Sequence, residues 1–160
     1  MPLYRRVTAK GVKPIQMLEP IYEYYWLYGA VEPKTGETFF LEMPWLDGAC
    51  FSVFLEKLAE AYPDSLNILL IDGAPAHRAA TVKVPENIIL VDLPPYSPEL
   101  NPIERLWLDV KKQIDVFDRK VRTSIDGLKE HIAGIINNYT DETIKSLTGY
   151  PYILKAANVV

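Results

Sequence analysis

Two short, uninterrupted apolar runs, LNILLID at 66–72 and NIILVDLP at 87–94, constrain this chain more than any other feature. A strand with one wet face alternates apolar and polar residues. A run that is apolar throughout belongs to a strand covered on both faces, the usual condition in parallel sheets. Between the runs, HRAATV can form a short helical segment. The stretch 66–94 therefore predicts a strand–helix–strand unit with two parallel strands, the second ended by Pro94 and Pro95. An α/β fold follows.

Other elements arrange themselves around that unit. IYEYYWLYGAVE (21–32) and TFFLEMP (38–44), joined by the turn PKTGE, predict a β-hairpin. Tyr22, Tyr24, Trp26 and Tyr28 share one face by alternation, either as a packed sheet face or as a platform for stacked bases. Asp47 is placed to cap a helix running to about Tyr62, where Pro63 stops it; Phe51, Phe54, Leu55, Leu58 and Ala59 keep the helical period. A second helix opens with Asn101 at its N-cap, Pro102 at the first position and Glu104 at the third. Its stripe is Ile103, Leu106, Trp107, Val110 and Ile114. A third spans about 124–138, with Ile125, Leu128, Ile132, Ile135 and Ile136 inward. GYPYILKAANVV reads as a weakly ordered tail or a final short helix. Three domains of organisation result: a basic arm (1–18), a core (19–122) and a C-terminal helical segment (123–160).

Bulk properties narrow the function classes. A chain of 160 residues is the size of one domain. A single cysteine, Cys50, excludes an internal disulfide and a cysteine-based zinc site, and two histidines are too few for a His-rich metal site. No run approaches the length of a membrane span and the N-terminus has no apolar signal region, so a cytoplasmic protein is expected. The net charge of −4 does not by itself favour duplex DNA. The charge is uneven, however. Residues 1–18 carry Arg5, Arg6, Lys10 and Lys13 without an acid, and bases return at Arg105, Lys111, Lys112, Arg119, Lys120 and Arg122. Such patches are solvated surface or nucleic-acid contacts.

Two carboxylates stand where chemistry can occur. Asp72 ends the first apolar run, and ligands gather beyond the carboxyl ends of strands in open α/β sheets. It can hold a hard cation such as Mg²⁺ or cap the following turn. Glu104 can complete a capping box with Asn101, or look along the sheet edge from the margin of its helix's apolar stripe. Lys111 shares that side and can meet a phosphate or pair with Glu104. Acids converging from distant segments suit two-metal phosphoryl chemistry, which usually needs at least three carboxylate positions.

The longer pattern is more specific. LLIDGAPAHRA followed by NIILVDLPPYSPELNPIERLWLDVKK resembles the DDE superfamily, close to the IS630/Tc1/mariner transposases. The hairpin residues Tyr28-Gly29-Ala30-Val31 and Thr35-Gly36-Glu37 resemble the second-strand hairpin of the same family. The likeness covers about residues 4–120. It implies an RNase H-like fold, a mixed five-stranded sheet flanked by helices. It also implies Mg²⁺ or Mn²⁺ as cofactor and DNA as partner. Asp72 and Glu104 become the second and third catalytic, metal-binding acids. His77 falls near the metals or the scissile phosphate, or packs a helix. Asn101 and the prolines fix the loop that presents Glu104, while Arg105 and Lys111 become candidate phosphate contacts. Asp92 has no role in the pattern and reads as an exposed acid.

One departure matters. The family's first catalytic Asp ends a first, central strand, and no acid precedes Glu19 here. The expectation is a core without that strand, an incomplete two-ion site and little strand cleavage by the chain alone. Another segment, a second copy or the N-terminal part of a transposase is expected to fill the gap. The alternative function is a silent, dimerising fragment that regulates an intact transposase.

Overall fold

The computed structural model describes residues 24–114 and 124–157. The basic arm, residues 21–23 of the expected hairpin strand (21–32) and the bases Arg119, Lys120 and Arg122 lie outside them. The hairpin forms from β1 (Trp26–Val31) and β2 (Thr38–Met43), antiparallel with Tyr28 opposite Leu41 and Ala30 opposite Phe39. Its turn closes through Gly36, whose φ of 84° suits a residue without a Cβ, and Gly36 N–H donates to Glu32 O at 2.8 Å.

The capped helix appears as expected. In α1 (Gly48–Ala61) the Asp47 carboxylate accepts from Cys50 N–H at 2.8 Å, satisfying one of the free amides of the first turn. The predicted stripe is the core. Phe51, Phe54, Leu55 and Leu58 are all buried, each worth about 1.5–3 kcal/mol of removed apolar surface. They meet Tyr28 and Met43 of the hairpin on one side and Ile71 and Ile88 on the other.

Those last two residues belong to β3 (Asn67–Ile71) and β4 (Ile88–Asp92), which pair in parallel from Asn67 opposite Ile88 to Ile71 opposite Asp92. The parallel pair confirms the strand order read from the apolar runs. Three corrections apply. The connection contains turns at 74–82 rather than the expected helical segment at HRAATV. The strands are not covered on both faces either: Ile68, Leu70, Ile89 and Val91 are each between 40% and 43% exposed. Finally, the described strands form two separate two-stranded sheets, bridged by α1, rather than one mixed sheet.

The hairpin's second face is covered by α2 (Pro102–Gln113), where Trp107 lies 5.7 Å from Phe40. Gly29 permits this approach; a Cβ there would stand 2.9 Å from both rings. Three helices complete the layer: α3 (Ile125–Asn137), α4 (Asp141–Thr148) and α5 (Pro151–Ala157). The last of them is the final short helix offered for GYPYILKAANVV, and α4 stands before it. Both helix starts with a hydroxyl cap behave as predicted by chemistry: Ser124 accepts from Gly127 N–H and Thr140 from Thr143 N–H. Of the α3 stripe only Ile135 is buried. No helix of the described residues is long and apolar enough to cross a membrane.

Candidate active site

Asp72 stands one residue beyond β3, at the carboxyl end of the parallel pair. Its Oδ1 accepts from Ala74 N–H at 3.0 Å, so the capping role foreseen for it is filled. The side chain nevertheless remains half exposed. His77 is brought to it by two successive turns, His77 N–H to Ala74 O and Arg78 N–H to Pro75 O. His77 Nδ1 lies 2.9 Å from Asp72 Oδ1, yet it is a buried atom with no hydrogen bond. At that distance the two groups are in close polar contact, and whether they share a hydrogen bond depends on which ring nitrogen carries the proton. The imidazole ring rests 4.4 Å from Phe51, so α1 supports the histidine from below.

Asp92 is exposed, as read from the sequence, and it also carries an ion pair. Its Oδ1 accepts from Arg78 Nε at 3.3 Å and from the Arg78 terminal nitrogen at 3.1 Å. That pair ties the loop carrying His77 to the end of β4. Asp92 lies directly opposite Ile71, the residue before Asp72, so the ion pair sits at the carboxyl end of the parallel strands.

Glu104 sits in the first turn of α2, half buried. Asn101 occupies the N-cap and is buried, but its side chain makes no capping hydrogen bond, so the capping box is not formed. Among the described residues no hydrogen bond or ion pair joins Glu104 to Asp72 or to Lys111. Lys111 is exposed. Arg105 is turned to the C-terminal helices, its guanidinium 4.9 Å from the centre of the Tyr150 ring. The hydroxyl of Tyr152 donates to Glu99 O at 2.7 Å. The C-terminal segment thus touches the chain before and after Glu104, at Glu99 and at Arg105. On the loop before Glu104, Tyr96 is fully exposed with a φ of 60°, a left-handed conformation that costs a non-glycine residue about 1 kcal/mol or more.

Divalent-metal chemistry needs oxygen donors in number. Asp72 offers one carboxylate, and the orphaned Nδ1 of His77 beside it is a nitrogen, a poorer partner for Mg²⁺. Among the described residues no three of His, Cys, Asp and Glu come together as a metal-holding group. The donors present do not amount to a complete cage.

The described residues form an α/β arrangement with Asp72 just beyond one parallel strand and Glu104 in the first turn of the next helix. The chain belongs to the DDE superfamily of endonucleases, whose pattern matches residues 5–126. It is also similar to the uncharacterized protein y4pE/y4sA of Sinorhizobium fredii (strain NBRC 101917 / NGR234). The two are 29% identical over 124 residues, 77% of this chain and 90% of the relative. No solved structure matches the chain.

Proposed function

We propose that this chain is the catalytic-domain portion of a DDE transposase of the IS630/Tc1/mariner type, acting on DNA in the cytoplasm at the nucleoid. The observation that carries the reading is Asp72, half exposed beyond a parallel strand and in contact with His77, inside the family match. In this reading the fold is RNase H-like, and the two sheets are the flanks of a central strand. Asp72 and Glu104 supply two of three catalytic, metal-binding carboxylates. Mg²⁺ or Mn²⁺, held in a completed site, supplies the Lewis acidity for phosphodiester cleavage and strand transfer. His77 and Asn101 shape the surroundings of the two acids. Lys111 is the exposed cation best free to meet a phosphate, since Arg105 is engaged with Tyr150.

In this reading a third carboxylate has to join Asp72 and Glu104, and cleavage by these 160 residues alone is weak or absent. A specific observation supports a second reading, a dimerising regulatory fragment: the aliphatic face of Ile68, Leu70, Ile89 and Val91 is open to a partner.

Plasmid nicking with Mn²⁺ separates these readings. The chain alone should leave plasmid carrying transposon ends intact. Adding an upstream segment with a strand that ends in Asp should produce nicks, lost again in Asp72→Ala. Nicking by the chain alone, abolished by Asp72→Ala, contradicts the incomplete site. Capture of intact transposase with no cleavage in any mixture supports the regulatory reading instead.

A further inference from the structure

We propose that the cleft at the open end of the hairpin is a stacking site for an unpaired nucleobase of a DNA strand; the inference rests on the reading of this chain as a DNA-acting protein. The cleft has a volume of about 730 Å³ and lies where the chain enters β1 and leaves β2. Its walls are Tyr24, Tyr25, Trp26, Pro44 and Trp45, with Lys129 of α3 at the rim. Three of the rings are bare: Tyr24 is 80% exposed, Trp45 66% and Trp26 39%. Large aromatic faces left in water are uncommon without a ligand, and every base presents a π-face to match them.

The rings are held rather than loose. Tyr28 is buried beneath them, and its hydroxyl donates to the carbonyls of Trp45 at 3.2 Å and Asp47 at 3.5 Å. The turn that carries Trp45 is therefore anchored before any ligand arrives, which lowers the ordering cost of binding. At the rim, Lys129 Nζ lies 3.3 Å from Glu42 Oε2 and 5.2 Å from the centre of the Tyr25 ring. A lysine already neutralised by Glu42 is a poor phosphate anchor. The pair instead offers both a donor and an acceptor, the combination that reads the edge of a base. Flat aromatic walls with a mixed polar rim favour a base over an aliphatic protein segment.

Placement supports the same occupant. The last turn of α1 lies beside the start of β3 and β4, where Asn87 donates to the carbonyls of Ala59 and Tyr62. Its first residue, Gly48, abuts Ala79 and Thr81 in the loop beyond the end of β3. Trp45, three residues before Gly48, is thus at the Asp72 end of the molecule. A strand spanning both would have one base lifted from its stack near the reacting phosphate.

Tryptophan emission tests this on the full chain at low salt, with a 12-nucleotide thymidylate single strand and a 12-base-pair duplex. The single strand should quench emission, and Trp45→Ala should weaken its binding about 5-fold to 150-fold, the range set by one stacked base at 1–3 kcal/mol. Duplex affinity should change by less than about twofold. Circular dichroism checks folding of the variant, and Tyr24→Ala, at the most exposed ring, gives an independent arm with the same expectation. Equal single-strand affinity in wild type and both variants overturns the inference while duplex binding leaves the wider reading standing. Absence of binding to either DNA overturns both. A wild-type dimer that Trp45→Ala dissociates, with DNA affinity unchanged, assigns the cleft to a second copy and overturns the inference.

Discussion

His77 Nδ1 lies 2.9 Å from Asp72 Oδ1 while its ring rests 4.4 Å from Phe51, so the acid at the strand end leans on a histidine seated on the core. Two elements distant in sequence, the loop after β3 and the first turns of α1, are thereby joined at the candidate site. A fixed contact between them implies a measurable coupling.

Asp72→Ala removes one turn hydrogen bond from a half-exposed side chain and should cost about 0.5–1 kcal/mol. His77→Ala should cost more, about 1–2 kcal/mol, because the imidazole covers Phe51. The double variant should lose less than the sum, with a coupling of about 0.5–1 kcal/mol in urea denaturation. Strict additivity would show that the contact contributes nothing. The small cost of Asp72→Ala also means that its use in a cleavage assay reports chemistry rather than unfolding.

Two glycines should respond with opposite sign. Gly36 has a φ of 84°, and a Cβ there would meet the backbone oxygen of Asp141 at 2.3 Å, so Gly36→Ala should destabilise by more than about 1 kcal/mol. Gly134 lies within α3, where a Cβ would meet nothing within 4 Å. Gly134→Ala should stabilise by about 0.5–1 kcal/mol. Thermal melts of the two variants beside wild type decide the matter. A Gly36→Ala variant as stable as wild type would refute the packing of the hairpin turn against α4, and a destabilised Gly134→Ala would refute the open space beside α3.

α1 was legible because its cap, its stripe and its proline stop agree, and local consistency of that kind leaves little for tertiary contacts to change. The parallel pairing of β3 and β4 was legible from continuous apolar runs. Exposure of Ile68 and Val91 was not, because apolarity tells which residues seek cover and cannot tell whether a neighbour supplies it. Turns at 74–82 stand where HRAATV carried only a weak helical tendency. At the site, Asp72 and His77 were recognisable by spacing. The Arg78–Asp92 pair and the stacking of Arg105 on Tyr150 depend on contacts 14 and 45 residues apart, which no local pattern records.

Alkaline pH should weaken the fold. Burial, followed by the charge of Glu42, pushes the Tyr25 phenol up to about 12. Burial and the acceptor Asp109, 2.7 Å from its hydroxyl, raise Tyr139 well above the ordinary tyrosine value. Raised phenols favour the folded state fully below the unfolded value near 10, and that contribution falls as pH rises towards the folded values. Urea midpoints should therefore decline from about pH 10 to 12, with a shallower slope in Tyr139→Phe. Phenolate absorbance should show a late-titrating class that joins the ordinary one on unfolding. Identical slopes in wild type and Tyr139→Phe would remove Tyr139 from the account.

The aliphatic face of β3 and β4 has a consequence for how long the protein survives. Ile68, Leu70, Ile89 and Val91 form two matched cross-strand pairs, Ile68 with Ile89 and Leu70 with Val91. Water-facing patches of this kind turn ordinary collisions into adhesive ones. The shelf life of the molecule is then governed by crowding rather than by heat: kept without a companion, it should drop out of solution while still folded.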